Sequence, residues 1–132
     1  MYETFFGLKR RPFAPAPDPN YYFPAETIES ARRSLFRCLQ RGEGPGLVVG
    51  PSGTGKTLLC RVLAEQVRAT STVVLLCSGR LSSRTALFQT ILHGLGRPYR
   101  GMNESESRLA LIDYLTVVAD RPAALVLLVD EA

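Results

Sequence analysis

The sequence predicts an α/β domain built on a parallel sheet, and three observations predict it. Short apolar runs at 47–49, 72–77 and 123–129 read as strands, and stretches of helical spacing separate them. The middle run, Thr72-Val73-Val74-Leu75-Leu76-Cys77, is continuously apolar and β-branched, as in a strand buried on both faces of a parallel sheet. The resulting β-α-β-α-α-β order folds into one sheet through right-handed crossovers.

Residues 1–24 are rich in aromatics and prolines, with Phe5, Phe6, Phe13, Tyr22 and Phe23 among the rings and prolines at 12, 15, 17, 19 and 24. Prolines this dense argue against a regular helix, and a disordered tail rarely carries so many rings. The expectation is an extended strap laid over the domain formed by 25–132, with the rings as anchors. Phe5, Phe6 and Phe13 are expected to cover the sheet and helices. Ala25 to Arg41 reads as a helix with Ile28, Ala31, Leu35, Cys38 and Leu39 on one face and Arg32, Arg33, Arg37 and Arg41 on a solvated one. Gly42-Glu43-Gly44-Pro45-Gly46 ends it and leads into the first strand. A helix follows over 58–67, a turn over 78–80, and a helix capped by Ser83 that carries Ala86, Leu87, Ile91 and Leu95. After a loop at 94–101, Asn103 and Glu106 have capping-box spacing. The helix they start is expected to turn Leu109, Ile112, Leu115 and Val118 inward and to stop at Asp120-Arg121-Pro122.

Composition narrows the class. With 132 residues, 45% hydrophobic and 21% charged, the chain can build one domain with a real core. The net charge of +4 comes mostly from dispersed arginines, for which a solvated basic surface is the simpler reading. Cys38, Cys60 and Cys77 are odd in number and lack C-x-x-C spacing, and His93 stands alone. Free thiols are therefore expected, rather than a disulfide framework or a zinc site. The sequence starts without a basic, apolar leader, and its longest apolar run is too short to span a bilayer. A cytoplasmic chain is the expectation.

The chemistry concentrates at Gly50-Pro51-Ser52-Gly53-Thr54-Gly55-Lys56-Thr57, which fits G-x-x-x-x-G-K-[ST]. That pattern is the phosphate-binding P-loop, and it stands here between a strand and a helix, as it must. Glycines let backbone N–H groups wrap a polyphosphate closely, and the helix that begins here, with Leu58 in its first turn, aims its positive dipole end at the same anion. Lys56 is expected to reach the β/γ-phosphates, and Thr57 to ligate Mg²⁺. The last strand ends in Asp130-Glu131, at the carboxyl edge where open α/β sheets place their sites. Asp130 suits support of the same metal, and Glu131 suits a general base for attack on the γ-phosphate. A glycine-rich surface turn and a solubilising acidic pair are the bland alternatives.

The opening Met1-Tyr2 … Phe5-Phe6-Gly7-Leu8 … Pro12-Phe13 … Pro17-Asp18-Pro19, with the P-loop and the final Val129-Asp130-Glu131-Ala132, resembles the A-type (ExeA-like) ATPases of the general secretion pathway, a branch of the AAA+ superfamily. The resemblance implies a three-layer P-loop NTPase sheet with Walker A and Walker B strands. It also implies ATP and Mg²⁺ as ligands, and homo-oligomers and secretion-machinery or envelope partners for the full-length protein. Relatives continue into a sensor strand, an arginine finger and a lid, so the chain reads as truncated after Walker B and inactive alone. In such relatives a further strand lies between the Walker A and Walker B strands. A gap is therefore expected between 47–49 and 124–129, with 72–77 pairing on the far side of the latter. The segment bordering the base in such relatives corresponds to Tyr22, Phe23 and Pro24, the candidates for adenine contact. The alternative functions are a DNA-binding transposition-helper ATPase, whose arginines over 32–41 would meet phosphates, a small-molecule kinase, and a non-hydrolysing nucleotide-binding module.

Overall fold

Two parallel strands, β1 (Thr72–Cys77) and β2 (Leu125–Asp130), pair in register from Thr72 opposite Leu125 to Cys77 opposite Asp130. They belong to a computed structural model that describes residues 2–12, 16–77, 82–119 and 124–131. The helices are α1 (Tyr2–Phe5), α2 (Glu26–Arg41), α3 (Lys56–Val67), α4 (Arg84–Gly94) and α5 (Glu104–Ala119), with a 3₁₀ turn at Pro19–Tyr21.

Strand alternation divides the core into two halves. On one face, Val74 and Leu76 pack with Ile91 and Leu92 of α4 and Leu111 of α5. Val126 has the opposite parity and is buried on the side of α3, whose Leu59, Leu63, Ala64 and Val67 are each at most 3% exposed. Helices on both faces of a parallel sheet give the three layers expected. Gly94 lets α4 come close, because a Cβ there would stand 2.7 Å from Val74 Cγ1.

The caps form as the sequence predicts. Ala86 N donates to Ser83 Oγ at 3.1 Å. Glu106 N donates to Asn103 Oδ1 at 2.9 Å while Asn103 N donates to Glu106 Oε2 at 2.8 Å, a complete capping box. Gly42, at φ 63°, closes α2 by donating to the Cys38 and Leu39 carbonyls. The expected turn at 78–80, Phe13 and the stop at Asp120-Arg121-Pro122 lie outside the described residues.

The structure corrects three expectations. Residues 47–49 are not a strand, and Leu47 and Val49 are 82% and 84% exposed. A strand persists through bonds to a neighbour, and no described residue offers 47–49 a ladder. Residues 47–49 form no ladder with β2, unlike the kinase-like order in which the two strands touch.

The second correction concerns α5. Ser107 and Leu111 are its buried residues, whereas Leu109, Ile112 and Leu115 are 57%, 43% and 46% exposed. From Leu109 on, apolar side chains occupy several sides of the helix, so sequence periodicity does not choose a face and packing against α4 does.

The third correction lies in the lead segment. It contains a helical turn ahead of its prolines and a 3₁₀ turn that starts at Pro19, where Asn20 N donates to Asp18 Oδ1 at 2.9 Å. Phe5 and Phe6 cover neither sheet nor helix; they are 83% and 68% exposed.

Candidate phosphate-binding site

The loop between Val49 and α3 is shaped by its glycines. Gly53 and Gly55 hold φ of 79° and 87°, which side chains resist, and Gly55 is the left-handed N-cap of α3. Leu59 N donates to Gly55 O at 2.8 Å, the first bond of that helix. Thr54 Oγ1 donates to Pro51 O at 2.8 Å and braces the loop across its width. A Cβ on Gly50 would stand 3.2 Å from Thr54 Oγ1, so the concave side of the loop has room for backbone and little else. Lys56 Nζ donates to Gly50 O at 2.8 Å and to Pro51 O at 2.6 Å, which folds the ammonium back over the loop. Ser52 lies exposed at the turn. Leu58 is half-buried in the first turn of α3.

Thr57 Oγ1 donates to Asp130 Oδ1 at 3.2 Å, across 73 positions of sequence. The strand-end acid and the loop therefore meet at the carboxyl edge of the sheet. Glu131 follows at φ 57°, the one positive-φ non-glycine residue among those described, and its side chain is exposed. A left-handed L-residue costs roughly 1–2 kcal/mol, and such outliers gather at functional sites.

Beside the loop is a cavity of about 160 Å³, walled by Thr27, Ile28 and Ala31 of α2 on one side and by Val48, Val49, Thr54 and Lys56 on the other. Ile28 Cδ1 approaches Gly55 to 3.3 Å of where a Cβ would stand. Tyr22, Phe23 and Pro24 do not line this cavity. Phe23 is 78% exposed, Pro24 borders a wider groove of about 620 Å³ with Glu26, Arg33 and Arg37, and the Tyr22 hydroxyl donates to Glu29 Oε2 at 2.9 Å. Thr27, Ile28 and Ala31 were not foreseen as neighbours of the loop. Ile28 and Ala31 were readable as part of the apolar face of α2, but the contact is tertiary.

Glu29 is the centre of a clasp. Arg32 donates to it twice, from Nε at 2.9 Å and Nη2 at 2.6 Å, and from Nη1 to Gln66 of α3 at 2.5 Å. Arg33 Nε adds a bond at 3.1 Å. The Arg32 guanidinium, with help from the Tyr22 hydroxyl and Arg33, holds the Glu29 carboxyl down at about 2. Burial, and then the bond to Glu29, raise the Tyr22 phenol. Arg61 Nη1 also ties α3 to Pro17 O at 2.8 Å. So Arg32 is an internal tie and not part of a solvated basic face, which weakens α2 as a set of phosphate contacts for DNA. No helix among the described residues is long and apolar enough to cross a membrane.

A family model described as an AAA domain matches residues 39–132. Over 87 residues, 66% of this chain, the sequence is 36% identical to the general secretion pathway protein A of Aeromonas hydrophila, and that stretch spans 16% of the relative's length. No solved structure matches the chain. The matched region opens inside α2 and takes in both the glycine loop and Asp130, so the residues that build the site are also residues that carry the family: this chain belongs to the AAA domain family of ATPases.

Proposed function

We propose that the chain binds ATP with Mg²⁺ at the Gly50–Thr57 loop and, within the complete protein, supports its hydrolysis. The observation that carries this reading is the Thr57–Asp130 hydrogen bond, which joins a phosphate-loop hydroxyl to a strand-end carboxylate. The donor set fits the ligands. Positive-φ glycines shape a concave loop, an ammonium stands over it, and a hydroxyl and a carboxylate are paired as hard oxygen ligands for a small divalent ion. The metal, when bound, supplies charge neutralisation between phosphate oxygens.

The chain's own residues do the rest. Loop N–H groups and the start of α3 hold phosphate oxygens. Lys56 exchanges its carbonyl partners for the β/γ-phosphates. Thr57 and Asp130 hold and orient Mg²⁺, directly or through water. Glu131 accepts a proton from attacking water at its carboxylate, which stands exposed just past the end of β2. The base lies in the cavity beside the loop, against the first turns of α2, with Ile28 and Ala31 as apolar wall.

The likeness to the secretion pathway protein supports a link to secretion for the complete protein, for which an oligomeric ATPase with secretion-system or envelope partners is the proposed form. Calorimetric titration tests the binding. Wild type should take up ATP more tightly with Mg²⁺ than without it, and Lys56→Ala should abolish the signal. An unchanged titration for Lys56→Ala would remove the loop from the reading.

A further inference from the structure

Residues 2–11 form a closed hook that the nucleotide site does not use. The single turn of α1 ends in a Schellman arrangement, in which Leu8 N donates to Glu3 O at 2.7 Å, Gly7 N donates to Thr4 O at 3.3 Å and Gly7 takes φ 64°. Arg11 Nε donates to Glu3 Oε1 at 2.9 Å and closes the loop a second time. The hook is preformed, and it holds its apolar side chains outward. Phe5 and Phe6 meet edge to face at 5.0 Å and remain 83% and 68% exposed, with Tyr2 at 44% and Leu8 at 40%. Lys9 and Arg10 stand exposed beside them, while Glu3, the acid of the hook, is neutralised by Arg11.

We propose that this hook seats in the interface of an anionic lipid bilayer, with Phe5, Phe6 and Leu8 among the upper acyl chains and Lys9 and Arg10 at the headgroups. Rings that stand off the surface need a receiving phase that adapts to their shape. The hook's own acid is paired with Arg11, so Lys9 and Arg10 select negative charge, with the Asp18 carboxylate, held by Asn20, within electrostatic reach of Arg10. A protein groove is less favoured, because the amides of Phe6, Gly7 and Leu8 are already satisfied within the hook and leave little for a polar rim.

Vesicle co-sedimentation of the 132-residue chain tests this, using phosphatidylcholine alone and phosphatidylcholine mixed with phosphatidylglycerol. The chain should pellet with the anionic vesicles only, and less as salt rises. Phe5→Ser with Phe6→Ser should lower partitioning about 100-fold. Lys9→Gln with Arg10→Gln should lower it about 30-fold. Circular dichroism should be unchanged in both variants, since the altered side chains are exposed. Absence of binding, equal binding to neutral vesicles, or indifference to the Phe pair would overturn the proposal. So would loss of self-association in the Phe variant without any vesicle binding, which would assign the hook to a second copy.

Discussion

At the scale of single residues, the site divides into groups that hold charge and groups that place it. Lys56 has two carbonyl partners, and a triphosphate would replace them with ionised oxygens. Charge-assisted bonds are worth about 1.5–3 kcal/mol each, so Lys56→Ala should raise the ATP dissociation constant by about 100-fold or more. Asp130 accepts from Thr57, and in the proposed site it would reach the metal from there; Asp130→Asn keeps the shape while removing the charge. The expected result is a loss of about 10–100-fold in the Mg²⁺ dependence of ATP affinity, with metal-free binding little changed, read by titration with and without chelator. Glu131→Gln should preserve ATP binding and stop turnover in a full-length version, because a carboxamide cannot take the proton; equal turnover would remove Glu131 from the mechanism. The shape of the loop was legible in the sequence, since its residues are contiguous and its turns are fixed by backbone sterics. The Ile28 wall was not, because it depends on where α2 comes to rest against Gly55.

Among the elements, α2 and the lead segment are joined to α3 by charge. Glu29 gathers Tyr22, Arg32 and Arg33, and Arg32 reaches on to Gln66. The Glu29 carboxyl lies at about 2 in the folded chain, below its ordinary value of 4.5. A depressed carboxyl contributes stability that is fully present above the unfolded value and is lost as pH falls toward the folded one. The clasp should therefore weaken between about pH 4.5 and pH 2. Urea unfolding of wild type and Arg32→Met should differ at pH 6 and converge as pH drops through that window; a constant difference would mean that packing and not the ion pair holds the clasp. The capping box of α5 gives a simpler test, with Asn103→Ala expected to cost about 1 kcal/mol of stability. The same helix shows where sequence reasoning fails. The caps of α5 are local and were readable, whereas its buried stripe depends on α4, because leucines and valines occupy several sides of the helix.

For the whole molecule, the decisive feature is the second edge of β2. Among the described residues β2 pairs with β1 alone, so its outer edge presents unpaired backbone groups. Leu127 and Val129 on that strand are 43% and 46% exposed, and Leu47 and Val49 are nearly bare. An open parallel edge flanked by apolar side chains is a template for another strand, and exposed patches of this kind drive association. The 132-residue chain should therefore self-associate as its concentration rises, seen as a growing mass by light scattering. Placing a charge on the edge strand, Leu127→Lys, should return it toward monomer, because an ammonium at the contact is costly to desolvate. The salt response separates this from surface electrostatics: association driven by apolar edges should persist or strengthen in high sulfate, whereas contacts made by the arginines should dissolve. A wild-type chain that stays monomeric at the highest soluble concentration would mean that the edge of β2 is covered within the chain itself.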